Sequence, residues 1–157
     1  MRAAVIRENA LILEDRPEPV PGTGEARVRV HATAVNRADL LQVMGMYPAP
    51  KDAVQDVPGL EYAGIVDAVG PKVSSLAVGD RVYGLVGGGA YAESLVVHAE
   101  TACKVPDGLD LVSAAALPEA FLTAYDAMVS QARLAAGETV LIHAVGSGVG
   151  TAALQIV

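Results

Sequence analysis

Much of the chain alternates between hydrophobic and polar positions over short stretches that turn-forming residues separate. The clearest stretch runs from Glu25 to Ala32, where hydrophobic residues alternate with arginine and histidine. Such alternation places one face of a strand in a core and the other in water. Turn pairs such as Gly70-Pro71 and Gly79-Asp80 recur at short intervals. This spacing favours an antiparallel barrel as the first part of the protein.

A helical period replaces the alternation in the second part of the chain. Asp110 or Ser113 can cap a short alanine-rich turn, and Pro118 stands where a longer helix can begin. Hydrophobic residues then recur every three or four positions as far as Arg133. Glu119 in the first turn and Arg133 in the last turn suit the helix dipole. The sequence therefore predicts a helix from Pro118 to about Arg133.

An apolar run, a glycine-rich turn and the start of a helix follow. Val140-Leu141-Ile142 is typical of a buried parallel strand, residues 144–150 contain three glycines, and Thr151 to Val157 begin a helix. This order is the first unit of a doubly wound nucleotide-binding fold. We predict a mainly β fold with an α/β start: a β domain over residues 1–120, then a linker helix and a truncated Rossmann-type domain over 121–157.

The glycine turn suggests a dinucleotide site, although its spacing is not the standard one. Glycines between a strand and a helix let the backbone approach a pyrophosphate, which the helix N-terminus then binds. Val145 and Ser147 occupy the places of the first two glycines of the usual fingerprint. Close packing of helix on strand explains such glycines equally well. The residue that selects NAD or NADP lies about 20 positions further on, beyond Val157.

Composition and charge narrow the class of protein. A chain of 157 residues that is 52% hydrophobic can bury one ordinary core but is short for two. A net charge of -7, with lysines and arginines scattered singly, argues against nucleic acid and anionic membranes as partners. No stretch approaches the roughly 20 apolar residues of a membrane helix, and the N-terminus lacks a signal-peptide pattern. We therefore expect a soluble protein.

The single cysteine, Cys103, adds a constraint on redox chemistry and on metals. One cysteine excludes an internal disulfide and a structural zinc site of four cysteines, and it favours a cytoplasmic location. Cys103 lies in a strand-like segment, where we expect it to be a small core residue. The three histidines are spread singly without the spacing of metal ligands, so no catalytic role is assigned to them.

Six motifs in order carry a family resemblance: residues 36–42, 45–48, 58–64, 78–82, 117–124 and 143–150. Together they resemble the zinc-independent quinone oxidoreductases of the medium-chain dehydrogenase/reductase superfamily, and most of all the p53-inducible quinone oxidoreductase-like proteins. The resemblance implies a partly open GroES-like barrel beside a Rossmann-type domain. It also implies an enzyme in which NADPH gives hydride to a quinone or another small conjugated carbonyl compound.

The resemblance also implies that no catalytic zinc is bound. Zinc-dependent alcohol dehydrogenases of the superfamily bind their metal through a cysteine near Asn36 and a histidine near Leu60, and neither ligand is present. An amide and an alkyl side chain cannot replace a thiolate and an imidazole, even with Glu61 and His98 in the sequence nearby. Without zinc, hydrogen-bond donors or water must stabilise the developing oxyanion.

Two residues are implied to be catalytic. Tyr47 matches a tyrosine of the substrate cleft, where its hydroxyl can bond to the carbonyl oxygen or protonate it. Asn36 falls where this branch keeps an amide near nicotinamide and substrate, although asparagine is also a common residue at the start of a helix such as one beginning at Arg37. Glu61 is either an acceptor in the cleft or a structural carboxylate that holds the loop, and the second interpretation is preferred.

The cofactor residues are implied in the same way. Thr123 is placed on the Pro118 helix where the family turns a threonine toward the nicotinamide, although a threonine within a helix often bonds its own backbone. Ser147, Gly148 and Val149, with Gly150, are expected to bind the phosphates through backbone N–H groups.

Alternatives remain for the function and for the state of the chain. An enoyl thioester reductase of the same group, or a GroES-like module without catalysis, fits the same sequence. The resemblance implies that residues 1–157 hold the catalytic domain and only the beginning of the nucleotide domain. We therefore expect the isolated chain to be weakly active or inactive, or to form homo-oligomers through its exposed apolar edge.

Overall fold

Seven strands and two short helices form the first of two units in the computed structural model, which describes residues 1–157. The units comprise Met1–Ala116 and Leu117–Val157. In chain order the first contains β1 (Arg2–Arg7), β2 (Ala10–Asp15), β3 (Glu25–Thr33), α1 (Arg37–Val43), β4 (Glu61–Val69), β5 (Arg81–Leu85), β6 (Ser94–His98), β7 (Cys103–Lys104) and α2 (Leu111–Ala115). The second contains α3 (Pro118–Tyr125), a π-helical segment (Asp126–Gln131) and α4 (Gly148–Ile156).

The strands form two antiparallel sheets. β1 and β2 make a hairpin, and the other five strands pair in the order β6-β3-β4-β5-β7. The larger sheet is open because β6 and β7 have no further partner, and a single bridge from Ala3 to Ala92 links β1 to the segment before β6. The predicted mainly β, partly open fold is confirmed.

Alternation along the strands builds the main core. Val28 on β3, Val66 on β4 and Val82 on β5 are fully buried, and Tyr62 is 1% exposed among them. Each buried valine contributes roughly 1.5–3 kcal/mol relative to exposure. Val30, on the same predicted face as Val28, packs against this core but is only half-buried. The core therefore lies toward the start of β3.

The predicted helix from Pro118 is confirmed with a change of geometry inside it. Pro118 occupies the first turn of α3, and the chain continues after Tyr125 as the π-helical segment to Gln131. It stops before Arg133, whose φ of 57° is outside the helical region. Ala124 on α3 is buried in a small cluster with alanines of α4.

Two local predictions are wrong. Val140-Leu141-Ile142 forms no strand, because a parallel strand needs a neighbour and none of the seven strands lies in the second unit; Leu141 is 81% exposed. Cys103 is exposed rather than in the core, since β7 is a two-residue edge strand. In contrast, Asp110 caps α2 as predicted, with its carboxylate accepting the Ser113 N–H at 2.9 Å.

No helix combines the length and apolarity needed to cross a bilayer.

Candidate functional site

Asn36 stands at the junction between β3 and α1, in an extended conformation immediately before the helix. Its backbone N–H donates to Oδ2 of Asp39 at 2.7 Å, and its carbonyl accepts the Asp39 N–H at 3.1 Å. This reciprocal arrangement satisfies groups that a helix start leaves free. Asn36 therefore is the residue before the first turn of α1, as the capping interpretation requires.

The side chain of Asn36 is used separately from its backbone. Its Nδ2 donates to Oε1 of Glu61 at 2.7 Å, and Glu61 is only 2% exposed at the beginning of β4. The backbone carbonyl of Glu61 accepts in turn from the Thr33 hydroxyl at 2.7 Å. A buried carboxylate needs such donors, and its charge strengthens the bond. The bond orients the Asn36 amide and leaves its second N–H for another partner.

The surroundings of Asn36 offer hydrogen bonds rather than a set of metal ligands. Leu60, which precedes Glu61, is buried at 7% exposure and has no coordinating atom. No three side chains of the His, Cys, Asp and Glu types in residues 1–157 form a group that could hold a metal ion. The Asn36 amide and the Glu61 carboxylate therefore form a hydrogen-bonded pair at the start of β4.

Tyr91 joins this site, although sequence analysis did not select it. Its hydroxyl donates to Oδ2 of Asp39 at 2.9 Å, the same oxygen that accepts the Asn36 N–H. Burial raises the pKa of Tyr91, and the hydrogen bond to Asp39 and the negative charges of Asp39 and Glu61 raise it further, so the phenol stays a donor. The only sequence signal is a tyrosine two positions after the triple glycine 87–89.

Tyr47, the other predicted catalytic residue, lies in the loop after α1. Its side chain is 45% exposed, beside the exposed Met44 and Met46 in sequence. The hydrogen bonds of Asn36 go to Asp39 and Glu61 and do not include Tyr47. The first unit therefore joins Asn36, Asp39, Glu61 and Tyr91 in one network and leaves Tyr47 on an open surface.

In the second unit the glycine-rich turn leads into α4. Ser147 caps the helix, its Oγ accepting the Gly150 N–H at 3.0 Å, while its own N–H donates to the Ala144 carbonyl at 2.9 Å. The N–H groups of Gly148 and Val149 are the two in this first turn that bond to no group of the chain. Of the predicted phosphate-binding amides, these two are free to bind a ligand.

The glycines of this turn differ in the space around their backbone. A Cβ on Gly150 would lie 2.5 Å from the Ala144 carbonyl oxygen, so close packing requires glycine there. Gly146 and Gly148 have open space instead, which leaves room for a ligand to approach the backbone. Thr123, the remaining cofactor residue predicted from the resemblance, is exposed on α3.

Comparison by sequence finds a matching family profile, long polyketide synthases and a VAT-1 homolog-like protein. The profile described as alcohol dehydrogenase GroES-like domain matches residues 22–107. Component PikAII of the pikromycin polyketide synthase of Streptomyces venezuelae is 43% identical over 140 residues, which is 89% of this chain and 4% of that protein. The synaptic vesicle membrane protein VAT-1 homolog-like of Mus musculus is 38% identical over 160 residues, 99% of this chain and 38% of that protein.

Comparison by structure finds chains about twice as long, each covering 99% of this one. The human VAT-1 homolog-like protein superposes with a TM-score of 0.91 at 38% identity, and this chain covers 52% of it. CurK enoyl reductase gives a TM-score of 0.86 at 29% identity with 50% covered. The quinone oxidoreductase of Thermus thermophilus, solved also with NADPH, gives 0.82 at 35% identity with 49% covered.

Proposed function

The chain belongs to the alcohol dehydrogenase GroES-like domain family, a family of oxidoreductases, and from this membership we propose that the protein reduces quinones or related conjugated carbonyl compounds with NADPH and without zinc. One observation carries the proposal. The Asn36 amide is held by the buried Glu61 carboxylate at 2.7 Å, beside Leu60. The family resemblance matches Asn36 to the region where zinc-dependent members of the superfamily have a metal-binding cysteine, and an oriented neutral amide there supports a reaction without zinc.

Asn36 supplies electrostatic stabilisation in this proposal. Its second N–H is the donor for the carbonyl oxygen of the substrate, on which negative charge develops as hydride arrives. A donor fixed in advance needs no reorganisation during the reaction, and removing one such donor typically lowers kcat by about 10²–10³-fold. Tyr47, whose side chain is exposed in the loop after α1, is proposed as the group that protonates this oxygen.

The glycine turn supplies the cofactor site. The unpaired N–H groups of Gly148 and Val149 lie at the positive end of α4, which favours a pyrophosphate. NADPH bound there would supply the hydride, and Thr123 is proposed to orient its nicotinamide. The NADPH complex of the Thermus thermophilus enzyme supports the choice of cofactor.

Enoyl thioester reduction is the second candidate. The similarity to a polyketide synthase component and to CurK enoyl reductase favours it. The chemistry is closely related, because in both substrates hydride transfer to a system conjugated with a carbonyl group places negative charge on the carbonyl oxygen. The Asn36 amide therefore donates to the carbonyl oxygen of either substrate, and assays with both substrates distinguish the two functions.

Cofactor binding and turnover by the purified full-length protein test the proposal. NADPH and NADH binding are followed by cofactor fluorescence, and NADPH oxidation is followed with a simple quinone and with an enoyl thioester. We expect tighter binding of NADPH and faster turnover with the quinone. Faster turnover with the thioester selects the second candidate, whereas absence of both binding and turnover leaves a GroES-like module without catalysis.

A pair of asparagine variants then tests the proposed donor. Asn36→Ala is expected to lower kcat by about 10²-fold with little change in NADPH binding. Asn9→Gly is the matched control, because Asn9 lies in the β1–β2 turn with a φ of 63° that glycine also adopts. Equal activity of the two variants contradicts the role of Asn36.

A further inference from the structure

One carboxylate oxygen connects Tyr91 to Asn36. Oδ2 of Asp39 accepts the Tyr91 hydroxyl at 2.9 Å and the Asn36 backbone N–H at 2.7 Å. Asp39 is 2% exposed, and its other oxygen, Oδ1, has no hydrogen-bond partner. Both hydrogen bonds of this buried side chain therefore pass through a single atom, and loss of the Tyr91 hydroxyl leaves Asp39 with Asn36 alone.

Tyr91 is itself held tightly against the segment that leads into Glu61. The N–H groups of Gly89, Ala90 and Tyr91 donate to carbonyls of residues 57–59 at 2.8–3.2 Å. A Cβ on Gly59 would lie 2.5 Å from Cδ1 of Tyr91, so the ring packs directly on that backbone. The Tyr91 hydroxyl is thus a fixed point, anchored to the same stretch of chain that presents Glu61.

α1 needs such an anchor because it has only seven residues. Isolated helices of that length are unstable in water, so tertiary contacts must hold its first turn. Glu61 holds the Asn36 side chain, and Asp39 links the Asn36 backbone to Tyr91. Two contacts from outside the helix therefore fix both the position and the orientation of the amide.

We propose that Tyr91 is a positioning residue that acts on Asn36 through Asp39 and keeps the amide aligned for the reacting carbonyl. The inference rests on the proposed function, in which Asn36 donates to the substrate. Tyr91 need not touch substrate or cofactor in this role. Its hydroxyl fixes the start of α1 through Asp39, and the fixed start of the helix aligns the Asn36 amide.

Kinetics of Tyr91→Phe in the full-length protein test the proposal. The variant keeps the ring and removes only the hydroxyl, and we expect kcat to fall about tenfold with KM for NADPH unchanged. Tyr83→Phe, which removes a hydroxyl on β5 outside the network, is the control and should keep full activity. In an Asn36→Ala background, Tyr91→Phe should lower kcat no further, because both changes act through one group. Additive losses, or an unchanged kcat in Tyr91→Phe, overturn the proposal.

Hydrogen exchange separates failure of this proposal from failure of the proposed function. In Tyr91→Phe the amides of residues 34–41 should exchange about tenfold faster than in wild type, whereas those of α3 should not change. If the wild-type protein transfers no hydride, the proposed function fails and the exchange rates alone decide the positioning. Unchanged exchange in residues 34–41 overturns it in either case.

Discussion

Replacing Gly59 by alanine tests the packing of Tyr91 beside the site. Gly59 has a φ of +98°, and a Cβ there would lie 2.5 Å from Cδ1 and 2.8 Å from N of Tyr91. Gly79 provides a matched control, with a φ of +96° and nothing within 4 Å of its added Cβ. The backbone conformation is thus nearly the same at both positions, and only the steric contact differs.

The expected loss of stability is the sum of two effects. A side chain at such a positive φ costs roughly 1–2 kcal/mol, which applies to Gly59→Ala and Gly79→Ala alike. Carbon atoms normally approach to about 3.5–4.0 Å, so the 2.5 Å contact adds an overpacking cost of about 1–3 kcal/mol at Gly59 only. We therefore expect Gly59→Ala to lower the free energy of unfolding by about 1–3 kcal/mol more than Gly79→Ala.

Urea unfolding followed by circular dichroism measures this difference, provided that both variants share one m-value. Hydrogen exchange adds a local readout: residues 34–41 should exchange faster in Gly59→Ala, because a displaced Tyr91 no longer holds Asp39, and should not change in Gly79→Ala. Equal destabilisation of the two variants, within about 0.5 kcal/mol, refutes the reasoning. It would show that the Tyr91 ring moves aside freely.

Three further outcomes are expected. Glu61→Gln keeps the shape of the side chain but replaces a charged acceptor with a neutral one that forms a hydrogen bond of about half the strength. We expect kcat to fall severalfold while Asn36 stays in place. An unchanged kcat would show that the charge of Glu61 does not contribute to the reaction. Ser147→Ala removes the cap of α4, worth about 1 kcal/mol, and should weaken NADPH binding about fivefold by fluorescence titration. Burial raises the pKa of Asp56, but hydrogen bonds from Arg16 and Arg7 outweigh the effect of burial, so the pKa is lowered. The free energy of unfolding lost in Asp56→Asn should therefore be largest at pH 7 and should diminish below about pH 4, as the unfolded and then the folded carboxyl becomes protonated.

Part of the candidate site was predictable from sequence. Motifs identified Asn36 and Glu61, and helix-capping rules placed Asn36 before α1, where the structure has it. No sequence pattern indicated the hydrogen bond between Asn36 and Glu61 or the inclusion of Tyr91. Tyr91 and Asp39 are 52 positions apart, and no local pattern reports a contact across that distance.

Local rules by themselves determined the elements whose signal lies within a few residues. The alternation in β3, Asp110 as the cap of α2 and Pro118 at the start of α3 depend on neighbours in sequence, and each is found where the chain predicts it. Only the tertiary structure decided what depends on distant partners. Val140 to Ile142 has strand-like composition but no strand to pair with, and Tyr91 reaches Asp39 only because the sheet brings their segments together. The physical reason is that strand pairing and buried hydrogen bonds are satisfied between segments, whereas capping and side-chain alternation are satisfied within one.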